Sequence, residues 1–170
     1  MSFNGGPGLL NQASGPFLVK SSIVAQNGGA VGSMIVDVTG SFTSVGFNLV
    51  GTTNGSTGFT QPTDQTGIDP QLDPNGLQDN GGPTKTIALL PGSPAIDKGS
   101  SAGLSGSLAT DQRDVGFART FDDPAVPNAT GGDGTDIGAF ETQTAFPTPR
   151  PRPNLSTFRP DWRLELATTC

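Results

Sequence analysis

Apolar side chains in the first third of this chain recur at every second residue, and each run stops within a few residues at glycine or asparagine. Phe17, Val19, Ile23 and Ala25 share one parity against Lys20, Ser22 and Gln26, and Met34, Val36 and Val38 alternate with Asp37 and Thr39. Val45, Phe47 and Leu49 alternate with Gly46 and Asn48. A period of two is that of a strand with one buried face. The breaks at Asn27-Gly28-Gly29, Thr39-Gly40-Ser41 and Gly51-Thr52-Thr53-Asn54-Gly55 therefore predict three short strands. No stripe of 3.6-residue period and useful length occurs in this half. Charged residues, at 14%, are too few for a coiled coil or a helical bundle, and 170 residues make one domain. The expectation is an all-β fold.

Two arrangements fit those strands. Ser22-Ile23-Val24-Ala25-Gln26-Asn27 is echoed by Ser44-Val45-Gly46-Phe47-Asn48-Leu49, which sets Ile23 and Val45 22 residues apart. That is about one coil of a parallel β-solenoid. An antiparallel sandwich hairpin with a long loop fits equally well on these residues alone. In the solenoid reading, residues 17–50 form parallel strands, and Asn27 and Asn48 occupy equivalent corners as stacked asparagines.

The second half is mostly loop. From Thr52 to Asn80 the apolar side chains are Phe59, Ile68, Leu72 and Leu77, set in Gly, Asp, Pro and Thr. Thr86-Ile87-Ala88-Leu89-Leu90 predicts a short strand. Ser93-Pro94-Ala95-Ile96-Asp97-Lys98-Gly99 predicts one helical turn, with Ser93 as N-cap and Gly99 in the left-handed C′ position. Asp136-Ile137-Gly138-Ala139-Phe140-Glu141 predicts a last strand. Beyond it, Phe146-Pro147-Thr148-Pro149-Arg150-Pro151-Arg152-Pro153 is a polyproline-type linker. Asp161-Trp162-Arg163-Leu164-Glu165-Leu166 is too short to fold alone, as an amphipathic turn or a β-segment. The expected organisation is terminal coils over 1–51, a loop-rich cap over 52–141, and a Pro/Arg-rich tail over 142–170 that the body does not need.

Charge excludes one class of partner. The net charge is −6, and of the 15 acids 13 are Asp, so phosphate backbones would be repelled and no nucleic acid is expected. Asp in such excess fits turns, where a short carboxylate bonds nearby N–H groups. The absence of His and Tyr removes imidazole catalysis, His-ligated metals and a Tyr nucleophile. Cys170 is the lone cysteine, so no internal disulfide forms. No run of 18 apolar residues crosses a membrane as a helix. The first residues lack the basic and apolar regions of a signal peptide, so an export signal, if used, is expected upstream.

The block from Gly76 through Asn80-Gly81-Gly82-Pro83-Thr84 and Pro91-Gly92-Ser93-Pro94-Ala95-Ile96-Asp97, with Asp111-Gln112-Arg113 and Asp136-Ile137-Gly138-Ala139-Phe140-Glu141, resembles the C-terminal end of choice-of-anchor Q domain proteins of bacterial surfaces. The likeness covers about residues 17–141. It implies a right-handed parallel β-helix, similar in fold to pectate lyases, with residues 1–51 as its last coils. It further implies a secreted or cell-surface location and no defined reaction. Extracellular polysaccharide or neighbouring surface proteins are the implied partners, and an open solenoid end invites self-association. The tail lacks the hydrophobic span and sorting motif of a normal anchor.

On that reading the loop-rich half caps the solenoid end, with Ile87, Leu89, Leu90, Ile96, Ile137 and Phe140 as apolar pegs. The chain is expected to be a non-enzymatic structural or adhesive module. Alternatives are a fragment of a β-helix polysaccharide lyase or hydrolase, or a carbohydrate-binding module. Catalysis would have to use Asp111, Arg113, Asp114, Arg119, Asp122 and Asp123, which share one loop region with nothing to fix their spacing. The expected role is structural instead: Asp97, Asp111 or Asp136 bonds the backbone of its own turn, and Arg113 ties loops together. Phe59, Phe117 and Phe121 would make a glycan platform only if they met on one face, and core or cap positions are expected. Gly131-Gly132-Asp133-Gly134-Thr135-Asp136 matches the start of a calcium nonapeptide, but Gly138 replaces its large apolar residue and the copy is single. No metal or cofactor is expected at Asp133 or Asp136.

Overall fold

The computed structural model describes residues 5–28, 36–103 and 108–143. Eight strands occur among them: β1 (Leu9–Leu10), β2 (Leu18–Val19), β3 (Ile23–Val24), β4 (Val38–Ser41), β5 (Thr43–Ser44), β6 (Leu49–Val50), β7 (Ser56–Thr57) and β8 (Gln65–Thr66). All strand pairing is parallel, in three sheets of order β1-β4-β7, β2-β5 and β3-β6-β8. Paired strands therefore come from different passages of the chain: strands of both other sheets lie between β1 and β4, β2 and β5, β3 and β6, and β4 and β7, and β7 alone lies between β6 and β8. The antiparallel hairpin is excluded, and the described chain is all-β and parallel.

The strands are shorter than the period-two runs because the chain turns within them. Ser21 (φ 46°) separates β2 from β3, and Gly46 (φ 94°) with Phe47 (φ 59°) separates β5 from β6. A left-handed φ is costly outside glycine, and here hydrogen bonds hold it. Ser21 Oγ donates to the Ser100 carbonyl at 2.8 Å, and the Phe47 amide donates to Thr63 Oγ1 at 3.0 Å. The expected second break, Thr39-Gly40-Ser41, lies inside β4 instead. Gly40 is needed there because a Cβ would collide with the Asn11 carbonyl oxygen of the neighbouring pass.

Register also departs from the echo in the sequence. Ile23 pairs with Leu49, not with Val45, so the first repeat is 26 residues (49 − 23) rather than 22. Leu49 pairs with Gln65, so the next is 16 (65 − 49). The parallel ladder thus continues past residue 51 into a segment with no apolar pattern, Ser56–Thr57 and Gln65–Thr66. Asn27 and Asn48 are not equivalent corners. Asn27 follows β3 and donates its amide N–H to Asp37 Oδ1 at 2.7 Å, whereas Asn48 precedes β6 and donates from Nδ2 to Asp64 Oδ1 at 3.1 Å. Both are buried, and each is paired with an Asp from later in the chain.

Two apolar clusters lie on opposite faces of the β3-β6 ladder. Val24 and Val50 join Val19, Val38 and Phe42 in one, with Leu9 and Phe59 at its margin. Their neighbours Ile23 and Leu49, pointing the other way, join Leu72, Leu89, Ala95, Ile96 and Ile137. A strand buried on both faces reads as continuous apolar sequence, as Ile23-Val24 and Leu49-Val50 do. The loop-rich half therefore packs on the outer face of the β3-β6-β8 sheet, where it was expected to cover the end of the stack. Hydrogen bonds fasten it there, among them Ser21 Oγ to the Ser100 carbonyl (2.8 Å), the Gly138 amide to the Ser21 carbonyl (3.1 Å) and Gln65 Nε2 to the Pro94 carbonyl (2.8 Å).

Within that half the expected elements give way to irregular backbone. Thr86 and Leu89 make isolated antiparallel bridges to Gln78 and Leu72, without a strand. Residues 94–97 are turns and 93–99 holds no helix, although Ser93 Oγ does accept the Ala95 amide at 3.2 Å. Asp97 (φ 55°) takes the left-handed conformation expected of Gly99. Gly99 instead permits a close approach, since a Cβ would sit 2.6 Å from the Asp136 carbonyl oxygen. Residues 136–141 form no strand. Of the expected pegs, Leu89, Ile96 and Ile137 are buried and Ile87 and Phe140 pack against them, but Leu90 is exposed. Thr142 is buried, so the body extends past Glu141; the rest of the tail lies outside the described residues. No described helix is long and apolar enough to cross a membrane.

Candidate functional site

Irregular backbone has no ladder to satisfy its N–H groups, so buried amides need side-chain acceptors. The loop-rich half supplies carboxylates. Glu141 is fully buried; its Oε1 accepts the Phe121 amide at 2.9 Å and its Oε2 the Asp136 amide at 3.0 Å. Asp136, also fully buried, accepts the Asp97 amide on Oδ1 (2.8 Å) and the Thr142 amide on Oδ2 (2.7 Å). Asp97 Oδ2 accepts the Asp123 amide at 3.1 Å, and Asp97 Oδ1 is buried without a hydrogen bond. Chain segments around 97, 121, 136 and 141 are thus joined through three carboxylates. Asp97 and Asp136 reach across 26 and 39 residues, so they do not serve their own turns as the sequence predicts.

Two arginines complete the cluster. Arg113 meets Asp111 in a bidentate pair, with Nη2 2.6 Å from Oδ2 and Nε 2.9 Å from Oδ2 and 3.2 Å from Oδ1. Asp111 also accepts the Arg113 amide on Oδ1 (2.7 Å) and the Glu141 amide on Oδ2 (2.9 Å). The Arg113 guanidinium donates to the Glu141 carbonyl and lies between the rings of Phe117 and Phe140, 4.0 and 3.9 Å from their centroids. Arg113 therefore ties loops together as expected, through stacking as well as hydrogen bonds. Arg119 Nη1 lies 3.8 Å from Glu141 Oε2, and its Nη2 donates to the Asp136 carbonyl at 3.3 Å.

Negative charge and burial shift these groups. Burial first, and then the charge of Asp136, push the Glu141 carboxyl up to about 8, against the Phe121 and Asp136 amides and Arg119. Burial raises Asp97 to about 6; the Asp123 amide opposes this, and the charges of Asp136, Asp122 and Asp123 add to it. Asp136 is likewise raised by burial, against the amides of Thr142 and Asp97.

Acid–base work on a substrate needs a carboxyl oxygen that the substrate can reach. Glu141, Asp136 and Asp97 have none exposed, and five of their six oxygens already accept backbone amides. Of the residues named for catalysis from sequence, Asp111, Arg113, Arg119 and Asp123 are buried in this network, while Asp114 and Asp122 are exposed. The aromatic candidates do not form a platform. Phe59 packs on Phe42 with centroids 5.4 Å apart, Phe117 stacks on Arg113, and Phe121 gives its amide to Glu141. Asp133 accepts the Ser101 amide at 3.0 Å and the Ser101 hydroxyl, and no group of three metal-ligating side chains occurs among the described residues. Sequence reasoning missed Asp37, Asp64 and Glu141. Asp37 and Asp64 each stand immediately before a strand, at Val38 and Gln65, whose start no feature of the sequence marks; Glu141 carries no local signal either.

No family model, curated protein or solved structure matches this chain.

Proposed function

We propose that this chain is the C-terminal end of a right-handed parallel β-helix, and that residues 67–143 are a lateral clamp holding its last turns together. The observation that carries this reading is the shared core: Leu49 of β6 packs in one cluster with Leu72, Leu89, Ala95, Ile96 and Ile137 of the loop-rich half. The clamp touches all three strands of this ladder, Ser21 near β3, Leu49 in β6 and Gln65 in β8, so it opposes their separation. Nearest-neighbour contacts dominate a solenoid's stability, and a terminal repeat lacks one neighbour. A side-on clamp supplies that missing support.

The role is structural or adhesive rather than catalytic, in a secreted or surface protein of the kind that the Asn80–Thr84 and Pro91–Asp97 blocks resemble. Occupied, inaccessible carboxylates support this. The test is incubation of the chain with pectin, alginate and mucin-type glycans, scoring both cleavage and retention on affinity gels. No cleavage is expected, and β-elimination or hydrolysis lost in Asp122→Ala or Asp114→Ala would sink the non-enzymatic reading.

A further inference from the structure

Beside the clamp runs a groove of about 610 Å³, lined by Ile23, Leu72, Leu77, Ile87, Ile137 and Phe140, with Lys85 also on its wall. Leu77 is 61% exposed there, which makes this a wet apolar surface next to the main core. We propose that the groove is the docking site of this chain's own segment 162–166, Trp162-Arg163-Leu164-Glu165-Leu166. The described chain ends at Gln143, three residues beyond Phe140 of the groove wall, and Gln143 Nε2 is held by the Ala118 carbonyl at 2.8 Å. At roughly 3.1 Å per residue for a Pro-rich connection, the 18 residues between Gln143 and Trp162 reach any part of the surface. Tethering makes the encounter intramolecular and gives it a high effective concentration.

The chemistry matches at both ends. Trp162, Leu164 and Leu166 alternate with charged residues, so one apolar face is available in an extended segment. Asp161 and Glu165 suit Lys85 on the groove wall. Residues 144–170 hold 4 bases and 2 acids, whereas residues 1–143 hold 5 bases and 13 acids, so the field of the body attracts the tail that carries the segment, through Arg150, Arg152 and Arg159, while 162–166 is neutral overall. Docking leaves the body able to fold without the tail and covers this apolar groove.

The sequence contains its own reporter, because Trp162 is the only Trp and Tyr is absent. Emission and acrylamide quenching of the full chain therefore read Trp162 alone. The expected result is emission at shorter wavelength than in denaturant and quenching several-fold weaker, with both differences lost in Leu77→Asp and retained in the control Leu18→Asp. Circular dichroism of each variant verifies that the body stays folded. Native emission coincident with that of the denatured chain would overturn the proposal. So would a shielded Trp162 that Leu77→Asp leaves unmoved, or shielding that disappears on dilution, which would make a second copy the occupant.

Discussion

Arg113→Ala should destabilise the protein by about 3–5 kcal/mol, the cost of leaving a buried carboxylate without its partner. Asp111 would keep its two amide donors but lose a bidentate cation, in a site where its side chain is fully buried. The Glu141 carbonyl would lose a donor, and the space between Phe117 and Phe140 would empty. Arg113→Lys should restore little, because an ammonium neither stacks between two rings nor pairs in a fork. Urea denaturation of the three proteins measures this. A loss below about 1 kcal/mol for the Ala variant would mean that the loops are held by their apolar contacts alone.

Stability should fall as pH rises from about 4.5 to about 8. An unfolded Glu releases its proton near 4.5, whereas Glu141 in the folded protein holds it up to about 8. Between those values the unfolded state binds fewer protons, so unfolding is favoured as pH increases. Asp97, raised from 3.8 to about 6, acts in the same direction over the lower part of the window. The contribution is fully present below the unfolded values and lost above the folded ones. The expected loss between about pH 5 and pH 8 is on the order of 2 kcal/mol, roughly 4–8 °C in Tm. Glu141→Gln should be less stable at pH 5, since its amide nitrogen cannot accept an N–H, and its Tm should vary less across the window. A Tm that rises steadily from pH 5 to pH 8 would show that the carboxylates are charged and satisfied, and would remove the burial argument.

The parts of this fold legible in the sequence are those where apolar side chains alternate over a buried ladder. Ile23-Val24 and Leu49-Val50 carry that signal, and with it the all-β expectation. Register is not legible, because two-residue strands are too short to align and the turning residues include Ser21 and Phe47, which seldom take left-handed φ. The ladder beyond residue 51 is invisible for a different reason. Ser56–Thr57 and Gln65–Thr66 pair through backbone groups that any residue offers, and Gln65 reaches its partner by a side-chain amide. The Asp-rich loops announce turns, and several of the carboxylates do serve turns. Glu141, Asp136 and Asp97 instead accept amides from segments 20–39 residues away, a relation that only the folded chain defines. Six apolar pegs could not order so much irregular backbone. Carboxylates that satisfy its buried amides explain how it is ordered.

The clamp itself is tested most directly by hydrogen exchange of the β3-β6-β8 ladder in the wild type and in Arg113→Ala. The amides of Leu49, Gly51, Gln65 and Gly67 donate across this ladder, at 2.9, 3.0, 2.7 and 3.0 Å, and none contacts the arginine. If the loop-rich half holds successive passes together, loosening it should speed exchange at all four by at least tenfold under conditions where the variant is still folded. The amides of Asn11 and Phe42, in the β1-β4-β7 sheet away from the clamp, should change less. Unchanged protection at Leu49, Gly51, Gln65 and Gly67, with fast exchange confined to residues 68–143, would contradict the account and leave the loops as a passive covering.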